Sequence, residues 1–139
     1  NYESCIIFCN TKGMTARLCS ILKVSGFKAE ALSSELNQQQ RSRVMDSFKR
    51  REFPVLVSTD VAARGIDVND VEAVINYDIP ADNPYYLHRI GRTGRAKKQG
   101  VSFVFYDASE NARLKDIIRC CKVEITPVKI GPDGEIINE

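Results

Sequence analysis

The chain has no tryptophan, a single histidine and no run of apolar residues near the ~18 that a membrane-spanning helix requires. A secretory leader pattern is missing as well, so the reading is a soluble domain that is not itself targeted and meets no membrane. Paired knuckle spacing is absent from the five cysteines, because Cys5, Cys9 and Cys19 fall in expected strand or helix. No metal ligands are expected. Cys120 and Cys121 are adjacent, a geometry poorly suited to a structural disulfide. All five read as reduced thiols, which implies a cytoplasmic location, or a nuclear one in a eukaryote. A large net charge is also lacking. Twenty basic against eighteen acidic residues leave +2, so any anion site must be local. Finally, there is no GxxxxGK[ST] loop to cradle a nucleoside triphosphate.

What is present is a regular alternation. At 139 residues the chain is read as one domain, large enough to bury a core without disulfides or metal. It starts at Asn1 rather than at methionine, and the expectation is a piece of a longer protein. The run "SCIIFC" (4–9) is strand-like, and Met14, Leu18, Ile21 and Leu22 follow at helical spacing. "KAEAL" (28–32), "PVLVS" (54–58), "AVINY" (73–77) and "VSFVFY" (101–106) repeat the strand signal, with helical stretches between them and a last helix at about 109–121. Strands alternating with helices predict a three-layer α/β domain, its mostly parallel sheet covered by helices on both faces. Residues 1–122 make the expected core. Residues 123–139 read as an extension, a loosely packed strand or tail, with Pro127, Gly131, Pro132 and Gly134 breaking any regular element.

Ligands of such sheets sit beyond the carboxyl ends of the strands. The residues that follow the expected strands are Thr11-Lys12-Gly13, Ser33-Ser34, Thr59-Asp60 and Asp78. The stretch "YYLHRIGRTGRAKKQG" (85–100) adds the histidine and five cations, and no carboxylate occurs between Asn83 and Tyr106. The edge is therefore polar, rich in small residues and cationic, as a phosphate-bearing ligand requires. On a continuing helix His88, Arg92 and Arg95 would share one stripe, with Arg89 about 100° away and assigned a different job. Gly91 and Gly94 lower helix propensity within that stretch.

In order and spacing, "TDVAARGID" (59–67), "VINYDIP" (74–80) and "HRIGRTGR" (88–95) resemble motifs of the second RecA-like domain of DEAD-box ATP-dependent RNA helicases. "IIFCNTK" (6–12) is similar to that family's motif IV and "QQQR" (38–41) to its QxxR element. The resemblance covers roughly residues 4 to 121. It implies that Arg92 and Arg95 reach the triphosphate of ATP-magnesium held mainly by a preceding RecA-like domain of the same chain, with Arg95 the finger proper. It implies that Asp67 binds the ribose and that Gly65 lets the backbone pass close to the nucleotide. Thr11, Arg41 and Thr59 match groups on the RNA backbone, and Asp60, Arg64 and His88 match links between motifs and between domains. The isolated domain, expected to be monomeric, would be inactive.

Duller roles stand beside these. Thr11 and Thr59 fit helix N-caps, Asp67 a turn cap, Arg41 a solvated helix residue, Arg64 a surface ion pair and His88 a structural histidine. The aromatic residues mostly fall at core periods and do not read as base-stacking platforms. The chain also departs from the family pattern. Ser33-Ser34-Glu35 stands where His-Gly-Asp is usual, Lys97 replaces a glycine after "HRIGRTGR", and Met14 stands where motif IV often has glycine. Two other readings remain open: a non-catalytic helicase-like adaptor, and a domain of a DNA helicase or translocase.

Overall fold

The computed structural model describes residues 3–63, 71–92 and 100–138. Five parallel strands, β1 (Cys5–Cys9), β2 (Ala29–Leu32), β3 (Val55–Thr59), β4 (Ala73–Asn76) and β5 (Val101–Val104), form one sheet in the order β2-β3-β1-β4-β5. Between them run α1 (Lys12–Val24), α2 (Gln38–Lys49), the short α3 (Asp60–Ala63) and α4 (Asn83–Ile90). A single 3-10 turn, Ala108–Glu110, leads into α5 (Asn111–Cys121).

The alternation of side chains along β1 explains the layers. Every residue of β1 is buried, as a strand covered on both faces must be. Ile6 and Phe8 point into a cluster with Leu56, Met45 and Phe48, which brings α2 and α3 onto that face. Cys5, Ile7 and Cys9 point the other way, to Val57, Cys19 and the Met14, Leu18 and Leu22 stripe of α1. The connection from β1 to β2 runs toward one edge, and those from β2 onward run back toward the other. Right-handed crossovers then place the first helix opposite the next ones. Tyr86 of α4 and Ile117 of α5 close a third cluster with Val104.

The expectation for the end of the chain is corrected. Val128–Ile130 and Ile136–Asn138 pair antiparallel as a hairpin, β6 and β7. Gly131, Pro132 and Gly134 lie in its turn rather than in its strands. The Gly134 backbone has φ +81°, which glycine adopts without strain, and its N–H donates to the carbonyl of Gly131 at 2.9 Å. Residues that look like breakers in the sequence are the turn that makes pairing possible. The strands of the hairpin are exposed along their length.

Candidate functional site

Three helices begin on neighbouring strands at the carboxyl edge of the sheet. Cys9 and Thr59 are register partners, so the β1–α1 and β3–α3 junctions lie side by side. Thr11 is the N-cap of α1, its hydroxyl oxygen accepting from the Met14 N–H at 3.2 Å. Thr59 does the same for α3, accepting from the Ala62 N–H at 3.1 Å. The capping reading of both residues is thus realised, yet each cap uses an oxygen lone pair and leaves the hydroxyl hydrogen free to donate. After β2, Asn37 and Gln40 form a reciprocal capping box at the start of α2. One turn in, the half-buried Arg41 donates through Nη2 to the carbonyl of Ala62 at 2.9 Å. Arg41 is therefore a tie from α2 to the end of α3, not a solvated helix residue. Beside them Lys12 pairs with Glu35 at 3.1 Å, so the acid of the divergent Ser33-Ser34-Glu35 loop faces the cation next to Thr11.

The centre of the edge belongs to Arg89, which is wholly buried. Its Nε and Nη2 grip the two oxygens of Asp60 at 2.7 and 2.8 Å. Nη2 also donates to Asn10 Oδ1 at 2.8 Å, and Nη1 to the carbonyl of Asp78 at 2.9 Å and, at 3.5 Å, to Asn76 Oδ1. The guanidinium lies 5.5 Å from the centroid of the Phe8 ring. One side chain from α4 thus joins the carboxyl ends of β1, β3 and β4. Through this fork Asp60 of "TDVAARGID" is bonded to Arg89 of "HRIGRTGR". Arg89 stands apart from its neighbouring cations, as its angular offset on the helix predicted. Its partners Asn10, Asn76 and Asp78 were not foreseen. The available signal was Asn76, a polar residue inside the apolar run "AVINY", since a buried amide requires partners.

Asp78 completes the network unevenly. Its Oδ2 accepts from the Asn10 N–H at 2.9 Å, while the buried Oδ1 lies 3.7 Å from Arg89 Nη2 and has no hydrogen-bond donor among the described residues. Burial pushes the Asp78 carboxyl above the usual carboxylate range, against the lowering effects of the Asn10 N–H and Arg89. The Cys9 thiol beneath is pushed up to about 11, first by burial and then by the Asp78 charge.

The arginine-rich segment differs from the helical stripe the spacing predicted. Helix α4 ends at Ile90 with Gly91 as its C-cap, so Arg92 already lies in the turn beyond. The Arg92 carbonyl accepts from the Val71 N–H at 3.1 Å, which binds this turn to the start of β4. Arg92 is half-buried and His88 is exposed on the last turn of α4. The two are therefore not on one continuous helical face. Arg64, Gly65, Asp67 and Arg95 lie outside the described residues, as does Lys97.

Comparison with known proteins accords with this arrangement. Residues 1–97 match the family model described as the helicase conserved C-terminal domain. The ATP-dependent RNA helicase DeaD of Buchnera aphidicola is 38% identical over all of this chain, which covers 23% of that protein. The crystal structure of a DEAD box protein from Methanococcus jannaschii superposes with a TM-score of 0.81 at 44% identity, over 88% of this chain and 34% of that one. S. cerevisiae Dbp5 bound to RNA and ADP BeF3 gives a TM-score of 0.76 at 39% identity, over 84% of this chain and 32% of that one. The chain thus spans between about a quarter and a third of the length of these relatives. With its five-stranded parallel sheet, it belongs to the helicase conserved C-terminal domain family, as the second, RecA-like domain of the DEAD-box kind.

Proposed function

We propose that this domain is the second motor half of an ATP-dependent RNA helicase. In this reading it supplies arginines to ATP held by a preceding RecA-like domain and grips the RNA sugar-phosphate backbone along its polar edge. The observation that carries the reading is the alignment of three helix starts on the adjacent strands β2, β3 and β1, with a hydroxyl or guanidinium at each. Thr11 and Thr59 can donate their free hydroxyl hydrogens to phosphates, and Arg41, held by Ala62, offers its other guanidinium N–H groups. Such contacts position a strand without reading its bases. In keeping with this, the solved relative Dbp5 is bound to RNA and ADP BeF3.

The nucleotide side rests on the motif match. Arg95 is the finger toward the γ-phosphate, Arg92 its neighbour on the triphosphate, and Asp67 and Gly65 face the ribose. Magnesium belongs with the triphosphate on the first domain; among the described residues no cluster of His, Cys, Asp or Glu could hold a metal ion. Asp60, Arg64 and His88 couple the motifs and the two domains. Putting the finger on a separate body makes hydrolysis conditional on closure, and RNA spanning the cleft favours closure. The domain is proposed to act as a monomer in the cytoplasm, or in the nucleus of a eukaryote.

Single-turnover hydrolysis at saturating ATP and RNA tests this in the full-length protein. Arg95→Ala is expected to slow the step by roughly 10³-fold, the lower end for an arginine supplied in trans, with far less change in ATP binding. Arg95→Lys should not restore it, because a point charge lacks the planar fork. A near-normal rate for a folded Arg95→Ala protein would assign these cations to the surface or the RNA instead.

A further inference from the structure

At the opposite end of the strands from Thr11 and Thr59, a groove of about 600 Å³ opens along the outer side of β2. Its size lies within the range of ligand pockets. The end of α1 and the flank of α2 wall it, and the first residues of β2 form its inner side. Among the described residues β2 is an edge strand with β3 as its one neighbour, so one row of its backbone N–H and C=O groups has no strand partner there. The floor is apolar: Phe53 is buried and Val44 half-buried. At the lip Phe27 is 55% exposed, so an aromatic side chain stands open to solvent beside an apolar floor.

Charge narrows the occupant. Lys23 is paired with Glu30 at 3.8 Å, and Glu52 with Arg50 at 2.8 Å. Lys28 and Arg43 line the groove with no carboxylate partner among the described residues. A second copy of the chain fits badly, because antiparallel pairing of two β2 strands would bring their exposed Glu30 side chains together. RNA fits badly too, since two unpaired cations over an apolar floor do not make a backbone track.

We propose that this groove is a docking site for an acidic segment of a partner protein. The segment lies extended beside β2, sinks apolar side chains toward Phe53 and Val44, and sets carboxylates against Lys28 and Arg43. Backbone pairing supplies affinity, and the alternating side chains supply selectivity.

The probe is a library of random 12-residue peptides displayed on phage and selected against the full-length protein, with the enriched peptides then synthesised. Enriched sequences should combine Asp or Glu with aliphatic or aromatic residues. Lys28→Glu/Arg43→Glu should weaken their binding at least tenfold, and a Lys-for-acid version of the peptide should recover binding to that variant. Phe27→Ser should weaken binding with unchanged circular dichroism. N-methylation at one set of alternate peptide positions should abolish binding while the other set is tolerated, a pattern that does not depend on any protein variant. Basal ATP turnover should be unaffected by the three substitutions. Enriched peptides without acidic residues, or binding indifferent to residues 27, 28 and 43, would overturn the proposal. So would displacement of the peptide by oligouridylate of 12 nucleotides, or a sedimenting dimer that Phe27→Ser dissolves.

Discussion

Replacing Arg89 by alanine removes a side chain that no solvent reaches and that contacts the ends of three strands. The lost hydrogen bonds are not the largest consequence. Asp60, with only 12% of its side chain exposed, would keep a carboxylate whose two oxygens both pointed at the missing guanidinium. Breaking a buried pair from one side costs about 3–5 kcal/mol, against a total stability of about 5–15 kcal/mol for a domain. At about 4 °C per kcal/mol for a chain of this length, the midpoint should fall by roughly 15 °C. Urea unfolding of the 139-residue chain, followed by circular dichroism, measures the loss directly; the m-value should stay constant if only stability changes. Arg89→Met/Asp60→Asn removes both charges and should recover about 1–2 kcal/mol relative to Arg89→Ala, so the two sites will not add. A loss below about 1 kcal/mol for Arg89→Ala, or strict additivity in the double variant, would refute the claim that this fork holds the edge together. In the full-length protein the same substitution should lower stability more than it lowers turnover per folded molecule, the reverse of Arg95→Ala.

Two further outcomes follow from the same edge. The folded-state pKa of Asp78 is raised, so the folded protein binds this proton more tightly than the unfolded chain does. The contribution to stability is therefore fully present below the ordinary carboxylate pKa of about 4 and is lost as pH rises through the higher folded value. Asp78→Asn, which keeps an acceptor for the Asn10 N–H, should remove that downward slope in urea titrations from pH 4 to 7. An unchanged or steeper slope would contradict the burial argument. Among the thiols, Cys5 is pushed up to about 12 and Cys9 to about 11, chiefly by burial, whereas Cys120 is exposed. Iodoacetamide at pH 8 with peptide mapping should label Cys120 first and reach Cys5, Cys9 and Cys19 only on unfolding; labelling of native Cys9 at a comparable rate would contradict the packing of β1.

Much of this was legible in the chain because it follows from local pattern. Apolar runs of four to six residues alternating with helical spacing determine a parallel α/β sheet, since each strand must be covered on both faces. The same pattern places Thr11, Thr59 and Asp78 after strands, and so on one edge. The sequence motifs determine the family. What the chain could not disclose is whatever depends on contacts between residues far apart in sequence. Asn10 and Arg89 are 79 positions apart, and Asp60 and Arg89 29 apart, so nothing local marks them as a buried network. Arg41 reads as a solvated helix residue until the Ala62 carbonyl is found within its reach. The stripe of His88 and Arg92 fails because Gly91 ends α4, and helix propensity alone does not decide whether one glycine is tolerated or terminates. The glycines and prolines near residue 130 mark either breakage or a hairpin turn, and only the antiparallel pairing of β6 with β7 decides between them. Periodicity determines which face of an element is buried; which distant polar groups meet there is decided by the topology that carries them to the same place.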